Sequence, residues 1–408
     1  MQPLAGRRLW FVGIGGAGMS ALALVARAWG ADVGGSDRAR SSYVERLEQA
    51  GIPVAIGHDA VNVPEGSEVI VSSAIAPDNP EVEVTRARGT RTHMRAELLA
   101  ELVELRPSIV VAGAHGKTTT SAMIAFVLDR LGRDPAFLIG GEIPQLGGNA
   151  RAGEGWLVAE GDESDRTLEL LSPRVAVLTN VELDHHATFA SEAEVRELFE
   201  RWLERAPQHV LGYELEPVGF ELGVPGEHNR RNAATALAAL ELADVPPAEA
   251  ERLLPEFTGA GRRFELRGEA AGVRVYDDYG HHPREIEATL AAARSRANGG
   301  RVLVVFQPHL YSRTRHLAHD LARSLAAADA VAVTKVYAAR EEPVPGVEGS
   351  LVAQALAAER PGMAVGWTPE LEDAVRFLAR RARRGDLVLT IGAGDVDRAG
   401  ELLLEELE

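Results

Sequence analysis

Val110 to Thr120 reads V-V-A-G-A-H-G-K-T-T-T, and no other stretch restricts the fold as strongly. An apolar run from Ser108 to Ala112 enters a turn at Gly113 and Gly116. Lys117 then opens an apolar-periodic segment that runs to Leu131. The pattern is strand, tight turn, helix. Glycines let successive N–H groups face an anion closely, and the helix N-terminus adds partial positive charge. A lysine supplies a point charge, and a threonine hydroxyl suits magnesium. Gly113, Ala114, His115, Gly116, Lys117, Thr118 and Thr119 are therefore expected to cradle a nucleoside triphosphate. The loop is a shortened variant: Ala114 and His115 alone separate its glycines, where the usual pattern has four residues before Gly-Lys-Thr.

A second glycine turn lies near the start of the chain. Leu9-Trp10-Phe11-Val12 is a buried-strand candidate leading into Gly13-Ile14-Gly15-Gly16-Ala17-Gly18 and a helical stretch to about Trp29. This is G-x-G-x-x-G between strand and helix, and Asp37 follows Gly18 at about the distance of a ribose-binding carboxylate. The motif suits any diphosphate and does not choose between NAD and a UDP-sugar. A turn that only packs helix against strand is the structural alternative. Arg7-Arg8 before an uncharged run superficially suggests a secretory leader, but the phosphate-turn glycines inside that run argue against one.

A chain of 408 residues is too long for one core and fits two or three domains. Its formal charge of −17, with no basic stripe, argues against nucleic acid or an anionic membrane as the main partner. Small-molecule substrates are expected, in a soluble, cytoplasmic protein that is a monomer or homodimer. With no cysteine there is no disulfide and no thiolate ligand or nucleophile.

Glu68–Ala74 reads as a strand ending in hydroxyls and Met94–Leu105 as a helix, broken by Arg106-Pro107. The first domain is therefore placed at 1–106. Trp156–Glu160 is a strand running into Glu160, Asp162, Glu163 and Asp165, and carboxylates at a strand's C-terminal end suit magnesium. Val175–Asn180 repeats the pattern and ends in Glu182, Asp184, His185 and His186. Spacing alone leaves metal binding and carboxylate hydrogen bonding equally open for these histidines. A helix is expected at 196–204, and Gly226–Asn232 leads into another through Leu242. On that helix Asn229 and Asn232 share a face suited to an adenine edge or to capping. The proline and glycine punctuation near 255–261 sets the central domain at 107–257 and the last at 258–408. In the last domain, strand candidates Val273–Asp277, Val302–Phe306, Ala330–Thr334 and Leu387–Ile391 alternate with helical segments near 284–294, 315–327, 350–358 and 369–383. Polar clusters at Asp277–Pro283 and Gln307–Thr314 follow two strand ends, the ligand edge of such sheets.

Nine stretches, in order, resemble one family, the ATP-dependent Mur ligases of peptidoglycan synthesis. They are G-I-G-G-A-G-M-S (13–20), S-S-A-I (72–75), G-A-H-G-K-T-T-T (113–120), E-G-D-E-S-D (160–165), T-N-V-E-L-D-H (179–185), H-N-R-R-N (228–232), R-R-F-E (262–265), D-D-Y-G-H-H-P (277–283) and F-Q-P-H-L-Y-S-R-T (306–314). The resemblance implies an α/β protein of three domains: an N-terminal Rossmann-like UDP-binding domain, a central P-loop ATPase-like domain and a C-terminal Rossmann-like α/β domain. It implies a carboxylate–amine ligase using ATP and Mg2+, with UDP-N-acetylmuramate and L-alanine as substrates. Gly15, Gly16, Ala17, Gly18, Met19, Ser20, Ser36, Asp37, Ser72, Ser73 and Ala74 would hold the UDP part. Lys117 would grip the ATP phosphates, and Thr118, Glu160 and His185 the metal. His228, Asn229 and Asn232 would lie at adenine, Asp278 at the ribose, and Arg262 or Arg263 at the γ-phosphate. Tyr279, His281, His282, His309 and Arg313 would face the reacting carboxylate and amino acid. Only about 20 residues separate Arg205 from Gly226, where the family carries several tens more. Ala114, His186 and Leu310 also depart from its pattern. Competing readings are a sister ligase that attaches a preformed peptide, an inactive nucleotide-binding homologue, and an NAD-dependent oxidoreductase.

Overall fold

The computed structural model describes residues 2–72, 74–164, 166–183, 188–339 and 341–408. Three separate sheets follow one another along the chain. The first contains β1 (Arg8–Val12), β2 (Asp32–Asp37), β3 (Val54–Ile56), β4 (Glu68–Val71) and β5 (Thr92–Met94), in the order β3-β2-β1-β4-β5. All its pairings are parallel. The second contains β6 (Ser108–Ala112), β7 (Ala136–Ile143), β8 (Gly148–Arg151), β9 (Leu157–Glu160), β10 (Val175–Leu178) and β11 (Gln208–Leu211), in the order β11-β10-β6-β9-β7-β8. Only its β7–β8 pair is antiparallel. The third contains β12 (Glu265–Ala270), β13 (Val273–Asp278), β14 (Val302–Phe306), β15 (Ala330–Val333), β16 (Ala364–Trp367) and β17 (Leu387–Ile391), in the order β12-β13-β17-β14-β15-β16.

These orders place the chemistry. In a parallel sheet, loops at the carboxyl ends of strands open a crevice where the strand order reverses, and ligands settle there. β1 is flanked by β2 and β4, so its glycine turn sits at such a reversal. β6 is flanked by β9 and β10, so the phosphate loop is walled by the acidic end of one and the Thr179-Asn180 end of the other. Every residue of β6 is buried, which explains why it reads as an unbroken apolar run.

The chain divides into two compact units. The first comprises 1–182, 191–223 and 231–258 and carries the first two sheets; the second comprises 183–190, 224–230 and 259–408 and carries the third. Within the first unit, the helix Ala17–Ala28 packs on β7 and β8. Asn149 donates from Nδ2 to the Ala17 carbonyl at 3.3 Å. Arg46, on the helix Ser42–Gln49, reaches Asn149 Oδ1 at 3.2 Å, the Glu142 carboxylate at 3.2 Å and the Gly147 carbonyl at 3.2 Å.

Within the second unit, alternation along the strands feeds two cores. Val302, Val304 and Phe306 of β14 pack with Ile286, Leu290, Leu321 and Leu356 on one face. Leu303 and Val305 pack with Val375, Leu378 and Leu403 on the other. The helices there run Pro283–Ala297, Tyr311–Leu325, Ser350–Glu359 and Leu371–Ala379, within a turn of the expected segments. Sequence reading passed over the β7–β8 hairpin, whose Gly140-Gly141 interruption hides its alternation. Among the described residues, no helix is long and apolar enough to cross a membrane.

Candidate active site

The phosphate loop forms because two backbone positions suit glycine alone. Gly113 has φ +126° and Gly116 +82°. A Cβ at Gly113 would collide with Thr179 Oγ1, and one at Gly116 would lie 2.5 Å from Asn232 Oδ1. The wall is knitted to the loop: Thr179 Oγ1 donates to the His115 carbonyl at 2.6 Å, and Asn180 exchanges bonds with His115 N–H (3.0 Å) and carbonyl (2.9 Å). Lys117 Nζ donates to the Gly113 carbonyl at 2.5 Å and to Glu163 Oε1 at 3.0 Å. Burial pulls the Lys117 ammonium down, but Glu163, Asp162 and Glu160 outweigh it and hold the pKa raised. Glu160 Oε1 accepts from Gly140 N–H at 2.7 Å. Thr118 and Thr119 are buried in the first helical turn. His115 Nε2 lies 3.2 Å from Glu182 Oε2.

At the first sheet, the Ser36 carbonyl accepts from Gly13 N–H at 2.8 Å and Ile14 N–H at 2.9 Å. Asp37 Oδ2 accepts from Gly15 N–H at 2.8 Å. The turn after β4 closes over this point, since a Cβ on Gly13 would lie 2.9 Å from Ile75 Cδ1. Ser72 and Ala74 belong to that turn, where Ala74 N–H donates to Ser72 Oγ at 3.4 Å. Gly16 and Gly18 take ordinary φ, and Met19 and Ser20 are buried in the helix, where Ser20 N–H donates to the Gly16 carbonyl at 2.8 Å and Ser20 Oγ to the Ala17 carbonyl at 3.0 Å. Ser73 and His185 lie outside the described residues, as do Asp165, Asp184 and His186.

The second unit gathers Asp278, Tyr279, His281, His282, His309 and Arg313 at or just past the ends of β13 and β14. Asp278, at the end of β13, accepts from Phe264 N–H and Gly280 N–H at 2.8 Å each. Burial pushes its carboxyl up to about 6, against the opposing pull of Arg263 and the two N–H groups. Arg262 and Phe264 hold positive φ of +56° and +51°, strain that non-glycine residues rarely carry. Arg262 is consumed structurally: Nε donates to Asp277, Nη1 to the Gly394 carbonyl and Nη2 to the Gly392 carbonyl, all at 2.8 Å. Both guanidinium carbons lie over the Tyr279 ring, Arg262 at 5.2 Å and Arg263 at 5.0 Å.

The histidines differ in proton placement. Arg313, buried, can only donate, so His309 Nδ1 at 3.0 Å accepts and the His309 proton sits on Nε2. His281 Nδ1 lies 3.1 Å from the Tyr279 carbonyl, which can only accept, so its proton is on Nδ1 and Nε2 is the basic nitrogen. The His281 and His309 rings meet edge to face at 5.6 Å. His282 is buried at the start of Pro283–Ala297, its N–H donating to Glu285 at 3.1 Å. Tyr337, which sequence reading missed, stacks on His309 at 6.0 Å, and a backbone bridge that no local motif announces brings it there. Asn229 donates to the Pro225 carbonyl at 2.7 Å, and His228 lies exposed beside it.

Three family profiles match in sequence: "Mur ligase family, catalytic domain" over residues 8–106, "Mur ligase middle domain" over 111–211 and "Mur ligase, glutamate ligase domain" over 262–394. The chain belongs to the Mur ligase family. This Mur ligase is 41% identical over 452 positions to the UDP-N-acetylmuramate--L-alanine ligase of Renibacterium salmoninarum, covering 98% of this chain and 96% of that protein. It is 43% identical to the protein of that name from Kineococcus radiotolerans, at the same coverage. Among solved structures it resembles the UDP-N-acetylmuramate-alanine ligase of Thermotoga maritima, with TM-score 0.82, 28% identity and 98% of each chain covered. The murein peptide ligase of Psychrobacter arcticus, at TM-score 0.68 and 24% identity over 98% of this chain and 99% of that one, shares the fold. The Renibacterium alignment is longer than this chain's 408 residues, so that relative carries segments this Mur ligase lacks.

Proposed function

We propose that this Mur ligase joins L-alanine to the lactyl carboxylate of UDP-N-acetylmuramate at the expense of ATP, in the cytoplasm, during peptidoglycan precursor synthesis. The observation that carries the reading is near-full-length identity of about two residues in five to ligases of that name. The phosphate loop supports the ATP half. A carboxylate is a poor acylating agent, so it first attacks the γ-phosphorus of ATP, and ADP leaves. The alanine nitrogen then attacks the acyl carbon of the resulting acyl phosphate, the carbon–oxygen bond to phosphate breaks, and the ammonium proton is passed on.

Both steps concentrate negative charge, and this chain supplies cations to meet it. Lys117 turns from Glu163 to the β- and γ-phosphates. Arg263 takes the transferring γ-phosphoryl, because Arg262 is committed to Asp277 and two carbonyls. Asp278 holds the ribose, Asn229 and Asn232 with His228 the adenine, and Tyr279, His282, His309 and Arg313 the reacting carboxylate and amino acid. His281 Nε2 accepts the amine proton, since the Tyr279 carbonyl keeps the ring's own proton on Nδ1. Thr118 and Glu160 would offer the hard oxygen donors that magnesium prefers, with His185 as a nitrogen donor beside them; the ion would neutralise phosphate charge when bound. Gly15 to Ser20, Ser36, Asp37 and the 72–74 turn hold the UDP moiety. The domains run 1–106, 107–257 and 258–408, in a monomer or homodimer.

Incubating the protein with ATP, magnesium, UDP-N-acetylmuramate and L-alanine tests the reading through phosphate release. Release that needs all four supports it. Release only with a preformed peptide in place of L-alanine favours the sister ligase, and no release in any combination favours an inactive homologue. EDTA abolishes turnover, and His185→Ala raises the magnesium requirement.

A further inference from the structure

We infer that Glu81 is a positioning residue that fixes which way the Ser36–His58 pair points its protons at the ligand edge of the first sheet. Glu81 sits in the first turn of the helix Pro80–Ala87 with its side chain fully buried. Among the described residues no lysine or arginine pairs with it; its one ion-pair neighbour is His58, with Nδ1 at 3.6 Å. Hydrogen bonds hold it instead. Oε1 accepts from Asn62 Nδ2 at 2.9 Å and Asp59 N–H at 3.2 Å. Oε2 accepts from Trp10 Nε1 at 2.9 Å and Ser36 Oγ at 2.6 Å. An indole N–H, a backbone N–H and a carboxamide nitrogen only donate. Asn62 Nδ2 also donates to the Gly57 carbonyl at 3.0 Å, which fixes its amide orientation. Both oxygens of Glu81 therefore act as acceptors, and the Ser36 hydroxyl proton points at Oε2.

The direction propagates. His58 Nδ1 lies 3.0 Å from Ser36 Oγ. With the hydroxyl proton committed to Glu81, Ser36 Oγ accepts and Nδ1 donates. Neutral His58 is then the Nδ1–H tautomer, with Nε2 as an acceptor. The ring is 19% exposed. Ser36 also carries the glycine turn, through its carbonyl bonds to Gly13 and Ile14. One buried carboxylate thus orders the hydroxyl beneath the turn and turns the imidazole at the sheet edge into an acceptor for an N–H or O–H of the ligand. That the ligand is the UDP moiety rests on the function proposed above; the proton direction does not.

Glu81→Gln keeps the shape and breaks the polarity. One of its two oxygens becomes an NH2 among donors, and the relaxed arrangement donates from that group to Ser36 Oγ. The Ser36 proton then swings to His58 Nδ1, and the imidazole proton moves to Nε2. In the full chain with 15N-labelled histidine at about pH 8.5, with neutral rings, nitrogen–proton correlation spectra assigned through His58→Gln should report Nδ1–H in the wild type and Nε2–H in Glu81→Gln. The KM for UDP-N-acetylmuramate should rise about tenfold, with kcat and the KM for ATP within about twofold, because a buried polar group is left mismatched in one substrate's site alone. An Nε2–H tautomer in the wild type, which needs no variant to fold, overturns the inference. So does an unchanged tautomer in folded Glu81→Gln, or an inverted tautomer with unmoved KM. If the wild type does not turn over UDP-N-acetylmuramate at all, the functional reading fails instead, and the spectra still decide the proton direction.

Discussion

The first and second sheets each bend a buried strand into a helix through glycines, yet they hold the bend by different physics. At β1 the turn is tied by neutral backbone donors to the Ser36 carbonyl and to Asp37, and only Gly13 among its glycines needs positive φ. At β6 both glycines need it, the walls leave no room for a methyl group, and an ammonium is held against Glu163. A hydrogen bond between neutral groups contributes about 1 kcal/mol and one to a charged group about 1.5–3; the first turn has one charged partner, Asp37, on a neutral donor, whereas the second pairs two charges, Lys117 and Glu163. The first turn is therefore prebuilt as a passive cradle. The second stores a charge whose partner would be exchanged for a polyphosphate, so the function proposed above puts catalysis at the second and affinity at the first.

The largest expected effect tests that division. Lys117→Ala should lower turnover by about 10²–10³ or more, the scale of losing one preorganised electrostatic contact, while the affinity for UDP-N-acetylmuramate measured without ATP stays within about twofold. Equal loss of both in a folded variant would join what the two turns separate. Next comes a matched pair of glycine substitutions. Gly113→Ala meets both positive φ and Thr179, and should destabilise the protein by roughly 1–3 kcal/mol in denaturant unfolding. At Gly16 the conformation is ordinary and a Cβ meets only the Gly13 carbonyl, at 3.7 Å. Gly16→Ala should leave stability within about 0.5 kcal/mol and, on the function proposed above, raise the KM for the UDP-sugar, because the methyl would stand where the diphosphate is proposed to approach the backbone. Equal destabilisation by both substitutions would mean that the two turns are built alike.

Both turns were legible in the sequence because each is local: strand, glycines and helix lie within about 25 residues, and the physics that bends the chain is in the residues that bend. The third sheet was legible for the same reason, its strands and helices alternating with clear periods. What the sequence hid is carried by distant partners. R-R-F-E shows two equivalent arginines, and only Asp277 with the Gly392 and Gly394 carbonyls reveals that Arg262 is spent on structure. Asn79 caps the helix that carries Glu81, but nothing nearby in the sequence says that Trp10, Ser36 and Asn62 converge on the glutamate. The tautomers of His281 and His309 likewise follow from a carbonyl and a guanidinium that spacing alone did not assign.

The smallest effect probes whether the two turns, so differently built, are mechanically independent. The helix that leaves the first turn is bonded at Ala17 to Asn149 of β8, and Arg46 clasps the same hairpin. The hairpin's other strand, β7, supplies the Gly140 N–H that orients Glu160 beside the second turn. A Cβ on Gly148 would overlap the Arg46 guanidinium, so the hairpin is shaped around this side chain. Arg46 and Glu142 are nevertheless 29% and 46% exposed, and solvent screening limits such a pair to below about 1 kcal/mol. Arg46→Ala should therefore lower the melting temperature of the unit by only about 2–4 °C. It should change neither KM by more than about fivefold, which corresponds to about 1 kcal/mol. Arg46→Lys should not restore the loss, because an ammonium cannot span a carboxylate, a carboxamide and a carbonyl as a planar fork does. A hundredfold fall in turnover from this one half-buried side chain would show that the cradle and the charged loop act as one machine, and that the contrast between them is of construction only.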